Sequence, residues 1–217
     1  MKVVIFGAGP LASVLWHALT HDSPHEAVGF TVDRAYLSDS NKHGLPVVPF
    51  EEVERHFPPA QAAMMTPLGG RHLNDLRAEK HRAGKAKGYH FISYVSSRAL
   101  TWPDVSIGEN SMIFEGAAVQ PFASVGQGVI LRAGASVAHH GKIGDYCFLA
   151  GHACLGGRVT VGDRCFLGLN CTILDGVTIA RRNFIAAGAV VTADTEEGGL
   201  YMGVPARRSA RGADSVY

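Results

Sequence analysis

No run of eighteen consecutive apolar residues occurs in the 217-residue chain, and none of its four cysteines is joined to another by a CxxC spacing. The first absence argues against a membrane-spanning helix. The second removes the commonest zinc and dithiol motifs. Excess charge is missing too: 20 Lys and Arg face 19 Asp and Glu, for a net charge of +1. A basic footprint for nucleic acid or an anionic membrane surface is therefore not expected. The N-terminal MKVVIFGAGP has no apolar h-region and no cleavage site, which predicts a cytoplasmic protein. An apolar content of 47% is enough for one or two domains with a sizeable core.

A repeat dominates what is present. From Val105 to Asp194 the chain reads in sixes, VSIGEN, SMIFEG, AAVQPF and onward to AVVTAD. The third residue of each hexad is aliphatic, from Ile107 and Ile113 through Ile185 and Val191, and the first is mostly Ala, Cys, Val, Gly or Ser. A period of six fits neither an α-helix nor independent hairpins; it fits a short strand plus a corner, with three sides closing one coil. The aliphatic third residues then stack inside a narrow prism while the small first residues leave room at the corners. Fifteen hexads make about five coils, roughly 24 Å long at the parallel strand spacing. The hand of the coil does not follow from this argument, since crossovers normally turn right. Cys147, Cys165 and Cys171 fall at first positions and Cys154 at a second, so all four read as small packing residues rather than metal ligands.

The first ninety residues follow another pattern. Lys2 to Phe6 is a Val- and Ile-rich strand, then comes the turn Gly7-Ala8-Gly9-Pro10, then a helical stripe of Leu11, Val14, Leu15, Ala18 and Leu19. Strands are expected over Ala27 to Val32, Leu45 to Val48, Ala60 to Thr66 and Tyr89 to Tyr94, with helices over Glu51 to His56 and His72 to Ala83. This is a small Rossmann-like α/β domain with a parallel sheet. Gly7 and Gly9 would let backbone N–H groups approach an anion, and Asp33, after the second strand, can accept hydrogen bonds from a ribose or base. The segment is too short for two βαβ halves, which favours a nucleotide or nucleotide-sugar over a dinucleotide. A tight strand-to-helix turn with no ligand is the other reading.

Prisms of this kind are built of small uncharged side chains, so Arg132, His139, His140 and His152 stand out at their corners. A corner imidazole is either a solvated turn residue or a proton acceptor near neutral pH.

The N-terminal GAG turn, the hexads, the segment ASVAHHGKIGD and the closing Gly203-Val204-Pro205-Ala206-Arg207 together resemble the hexapeptide-repeat sugar acyltransferases of the sialic-acid O-acetyltransferase and bacillosamine-pathway N-acetyltransferase type. The resemblance covers nearly the whole chain. It implies a left-handed parallel β-helix, a homotrimer, acetyl-CoA lying between neighbouring prisms, no metal, and a nucleotide-linked sugar as acceptor. Domains are then expected at 1–94 (nucleotide-sugar binding), 95–194 (β-helix) and 195–217 (C-terminal tail). His139 matches the family's general base, with His140 beside it. Gly157, Ala186, Ala187 and Gly188 match backbone approached by the pantetheine, and Arg207 is a candidate for the CoA phosphates, or part of a solvated tail. Arg132 is counted with the substrate side, together with Gly7, Gly9 and Asp33.

The chain departs from the family at several points. His140 stands where an acidic residue is common, Phe148 where a further His is common, Arg132 where Asn is common, and Pro10-Leu11 where Gly-His is frequent. Two other functions are weighed against acyl transfer. A zinc hydratase on the same prism would need a triad of imidazoles between subunits, and the His-x4-His pair it calls for is missing. A non-catalytic sugar-nucleotide-binding or assembly scaffold is the remaining alternative.

Overall fold

The computed structural model describes residues 1–216. Strands β1 (Lys2–Phe6), β2 (Glu26–Val32), β4 (Leu45–Pro49) and β5 (Ala62–Met65) form a parallel sheet in the order β4-β2-β1-β5, with β3 (Asn41–Lys42) antiparallel on the β4 edge. Val3, Val4 and Ile5 are fully buried because both faces of the sheet are covered. One face holds Val4, Phe6, Val48, Phe50, Val53 and Met64. The other packs on helix α1 (Pro10–His21) through Ala12, Leu15 and Leu19.

Helix α2 is a single turn, Val53–His56, preceded by a 3-10 turn. Helix α3 begins at Asp75 and runs to Ala86. The expected start at His72 fails because His72, Leu73 and Asn74 all take left-handed backbone angles. Of the strand expected over Tyr89 to Tyr94, Phe91 makes an isolated bridge to Met64, and Tyr94–Val95 is the first strand of the prism.

The hexads form a parallel β-helix. Each contributes a two-residue strand at its second and third positions, paired with the strand eighteen residues away, as Ser124–Val125 is with Lys142–Ile143. Residues one and three lie two apart and so share a face of the strand. Both point inward: Ala135 and Val137, Ala153 and Leu155, Cys171 and Ile173 are all in one core. The small first residue thus fills the vertex rather than merely leaving room beside it. Corners are made by the sixth residue, which from Asn110 to Gly188 has φ between 54° and 74° in every hexad. Nine of these corners are not glycine, each at about 1–2 kcal/mol, a cost offset by the stacked core.

Second positions point outward and differ from side to side. One side carries Ser106, Ser124, Lys142, Thr160 and Thr178, mostly solvated. Another carries Ala118, Ser136, Cys154, Thr172 and Val190. The third carries Met112, Ile130, Phe148, Phe166 and Phe184, the three phenylalanines stacked at 5.0 and 4.7 Å. This apolar side receives the N-terminal layer, so Val3, Ile5, Leu15, Met112, Phe114 and Ile130 belong to a single core. Its lower part is covered by Leu73, Leu200 and Ala213. Cys147, Cys165 and Cys171 are buried as packing residues, and burial pushes the Cys171 thiol up to about 12. Cys154 is different: it lies on an outward face and is exposed.

Residues 199–216 extend the apolar side. Gly199–Met202 adds in parallel to Phe184–Ile185, and Arg207–Gly212 returns antiparallel. Among the described residues no helix is long and apolar enough to cross a membrane.

Polar clamps fix α3 to one edge of the prism. The fully buried Arg77 guanidinium donates to the carbonyls of Gly128 (2.7 Å), Tyr146 (2.8 Å), Cys147 (3.2 Å) and Leu68. Asp75 receives Arg164 at 2.9 Å and Arg182 at 3.0 Å. At the top of the molecule one oxygen of Asp22, past the end of α1, accepts from Tyr94 (2.8 Å), Ser96 (2.7 Å) and the Ser97 N–H (3.1 Å).

Arg77→Met removes the guanidinium donor from four carbonyls, of which Cys147 O still accepts from the Ile130 N–H at 3.0 Å, and should lower unfolding free energy by about 3–5 kcal/mol, read by urea titration. An unchanged midpoint would contradict the clamp. The hydrogen bonds from Ser97, Ser96 and Tyr94 hold the Asp22 carboxyl well below the usual carboxylate range. A depressed acid stabilises the fold above its unfolded value near ~4 and loses that contribution as pH falls toward the folded value. Wild type should therefore lose more stability than Asp22→Asn between about pH 5 and pH 2, measured by denaturant midpoints across that range.

Candidate active site

His139 and His140 close a hexad at the prism edge that follows the Ser136–Val137 strand. Both are exposed. Their Nδ1 atoms lie 3.2 Å apart, so one ring donates and the other accepts. With the proton on His139 Nδ1, its Nε2 keeps a free lone pair. The His139 backbone is pinned on both sides: its N–H donates to Gln120 Oε1 at 3.0 Å, and its carbonyl accepts from the Arg158 N–H at 2.9 Å. The His140 ring leans on Phe122 at 4.9 Å. Gly157, one coil further on, lies directly against the His139 imidazole.

The remaining expected residues lie elsewhere. Arg132, Ala186, Ala187 and Gly188 are on the preceding edge of the prism, separated from His139 by the side bearing Ala118, Ser136 and Cys154. Arg132 lies over the Phe114 ring at 4.7 Å, and its Nη1 is buried with no hydrogen-bond partner among the described residues. Burial lowers its pKa, with Glu115 opposing. Phe114 and Glu115 also line a cleft of about 580 Å³ with His17, His21 and Arg98. Gly188 is an exposed left-handed corner with open space above it. Arg207 is exposed at the end of the prism and its Nη1 donates to Ala206 O at 3.0 Å, whereas Arg208 is paired with Glu196.

In the N-terminal layer Gly7 has φ 107°, which L side chains rarely adopt, and its N–H donates to Thr31 O. Gly9 caps α1, Pro10 occupies the first helical turn, and nothing stands within 4 Å of where a Gly9 side chain would be. That leaves an open approach to the positive end of a helix. Beside it a crevice of about 120 Å³ is lined by Ala8, Val32, Tyr36, Ser38, Asp39 and Lys42 among others. Asp33 does not line this crevice; its carboxylate is paired with Lys80 at 2.9 Å. The polar lining comes instead from the LSDSNKHG stretch, whose density of turn residues was the available signal. Gln120 and Phe122, which brace the histidine pair, lie eighteen to nineteen residues before it; that spacing was likewise readable. Among the described residues no group of three or more His, Cys, Asp or Glu is placed to hold a metal ion.

The family described as "hexapeptide repeat of succinyl-transferase" matches residues 158–193, within the parallel β-helix. Among similar solved structures is a GDP-perosamine N-acetyltransferase from Caulobacter crescentus, 25% identical. PerB from Caulobacter crescentus, solved in complex with CoA and GDP-perosamine, is 26% identical, with a TM-score of 0.85 over 97% of this chain and 98% of that one. The same fold is seen in the acetyltransferase domain of PglB from Neisseria gonorrhoeae FA1090, at 22% identity and TM-score 0.84 over 96% of this chain and 99% of that one. WeeI from Acinetobacter baumannii AYE shares it at 21% identity and TM-score 0.81, over 96% and 100%. No curated protein sequence matches the chain. These likenesses bear out the resemblance to the hexapeptide-repeat sugar acyltransferases read from the sequence.

Proposed function

We propose that this chain is an acetyl-CoA-dependent N- or O-acetyltransferase acting on a nucleotide-linked sugar in surface polysaccharide biosynthesis, working as a homotrimer in the cytoplasm. The observation that carries the reading is the His139–His140 pair on the edge of a prism that, over its whole length, is like that of an enzyme solved with CoA and GDP-perosamine. In this reading the prism coils left-handed and the N-terminal layer is half of a Rossmann fold, its nucleotide lying at the Gly7–Pro10 turn. Domain limits at 94/95 and 194/195 separate nucleotide binding, catalysis and the terminal hairpin.

His139 Nε2 takes the proton from the acceptor amine or hydroxyl as that atom attacks the thioester carbonyl. The tetrahedral centre collapses with cleavage of the C–S bond, and the proton passes to the departing CoA thiolate. His140 accepts the Nδ1–H of His139 and so holds the tautomer that leaves Nε2 free. It does this without the negative charge of a carboxylate.

The placement of the residues supports a shared site between copies. Arg132 and Ala186–Gly188 occupy one edge while His139 and Gly157 occupy the next, so a single prism cannot bring them to one substrate. Two prisms side by side can. The face between these edges carries small side chains rimmed by exposed apolar ones, Leu100, Trp102, Phe122, Leu169 and Leu174, all 45% to 70% exposed. Arg207 meets the CoA phosphates at the far end of the groove, beyond the small Ala186-Ala187-Gly188 stretch.

A thiol-release assay with acetyl-CoA over a panel of amino-sugar nucleotides tests the activity. At least one acceptor should turn over, and His139→Ala should lower kcat by roughly 10²–10⁴. His140→Glu should keep activity, and His140→Ala should lose less than His139→Ala. No turnover with any acceptor would leave a binding scaffold. Sedimentation should give three copies; a monomer with full activity would end the shared-site reading.

A further inference from the structure

The Gly157 position deepens this reading and rests on it. Four observations bear on why the residue is glycine. Its φ is not in the left-handed region, so backbone freedom is not the reason. Its N–H donates to Asp175 Oδ1 at 2.9 Å and its carbonyl accepts from the Gly176 N–H at 2.8 Å, so both backbone polar groups are already engaged. It is buried although it sits on a prism edge. A Cβ built on it would fall 2.6 Å from His139 Cε1 and 2.7 Å from His139 Nε2, closer than real side chains approach.

What the site uses is therefore the missing side chain. We infer that Gly157 is a positioning residue for the general base: its bare Cα is the seat on which the His139 imidazole rests. Gln120 Oε1 and the Arg158 N–H fix the His139 backbone, which leaves only the two side-chain torsions to be set. The seat at Gly157 limits where the ring can lie, and the 3.2 Å contact with His140 Nδ1 sets its rotation and tautomer. This differs from a glycine that lets the pantetheine close on the backbone, because that role predicts a loss of cosubstrate binding and this one does not.

Gly157→Ala distinguishes the two. The methyl is compatible with the backbone and keeps the Gly157 N–H, but it displaces the ring. A displacement of about 1 Å at a reacting group costs up to ~10² in rate. The expected result is a kcat lower by tenfold to a hundredfold, with the Kd for acetyl-CoA, measured by calorimetry, within twofold of wild type. In a His139→Ala background the same substitution should change kcat less than twofold, since it acts only through the ring. The side-chain ¹⁵N–¹H resonances of His139 should move in Gly157→Ala, a readout independent of turnover. If Gly157→Ala fails to fold, the His139→Ala/Gly157→Ala double variant should fold, because the clash is gone.

Unchanged kcat with unmoved His139 resonances would overturn the inference. So would acetyl-CoA binding weakened tenfold or more with those resonances unmoved. If wild type acetylates no acceptor, the proposed activity fails, and the His139 resonances still decide whether Gly157 seats the ring.

Discussion

The alternation in, out, in over the first three residues of each hexad governs everything else in the molecule. Because the strand is so short, each hexad has one outward side chain and one left-handed corner, and three hexads complete a coil. Every outward position is thereby assigned to one of three flat faces, and every corner to one of three edges, with a step of eighteen residues along each. A substitution cannot drift from face to face without breaking the aliphatic stack. Chemistry on such a scaffold is confined to the edges, where side chains leave the core without disturbing the ladder.

The three edges have different fates, and the differences are electrostatic as well as steric. One edge, through Asn110, Gly128, Tyr146, Arg164 and Arg182, is used to hold the N-terminal layer. Asn110 bonds to Thr66, Gly128 and Tyr146 accept from Arg77, and the two arginines converge on Asp75. A buried guanidinium is tolerable only because carbonyl oxygens surround it; burial lowers its pKa to about 9, with Cys147 and Tyr146 opposing. The clamp matters for function because it joins the glycine turn and its crevice to the prism in one body. The other two edges remain free for reacting groups, one bearing Arg132 and the Ala186–Gly188 stretch, the other the histidine pair.

The prism was legible in the sequence to a degree that the N-terminal layer was not. A strict period with an aliphatic residue in every third position admits few structures, whereas a strand, a glycine turn and a helix are common parts. Yet the same period held more than its core. Taking every third hexad, the second positions run Met112, Ile130, Phe148, Phe166, Phe184 on one side and Ser106, Ser124, Lys142, Thr160, Thr178 on another. That contrast marks which side is covered, and it explains Phe148 as a stacked packing residue of that side. The pairing of Asp33 was not legible for the opposite reason: its place after β2 is right, but its partner Lys80 lies 47 residues away on α3, beyond any local pattern. The seat of His139 on Gly157 was hidden too, since a glycine at a turn has several local explanations and only the three-dimensional neighbour selects among them.

Replacing a carboxylate by His140 has a consequence that depends on where the pair lies. A carboxylate about 4 Å from the imidazolium formed in the transition state stabilises it by about 1 kcal/mol in water-like surroundings and by about 4 kcal/mol at an effective dielectric of 20. A neutral imidazole forgoes that attraction and retains only the hydrogen bond, worth about 1 kcal/mol. With both rings exposed, as they are in a single chain, the loss is within tenfold in rate. Were a neighbouring prism to dry the site completely, the same replacement would cost a hundredfold or more. The exchange of charge for a second histidine is thus compatible with catalysis where the pair stays partly wet, and in the single chain the ring against His140 is itself the exposed Phe122.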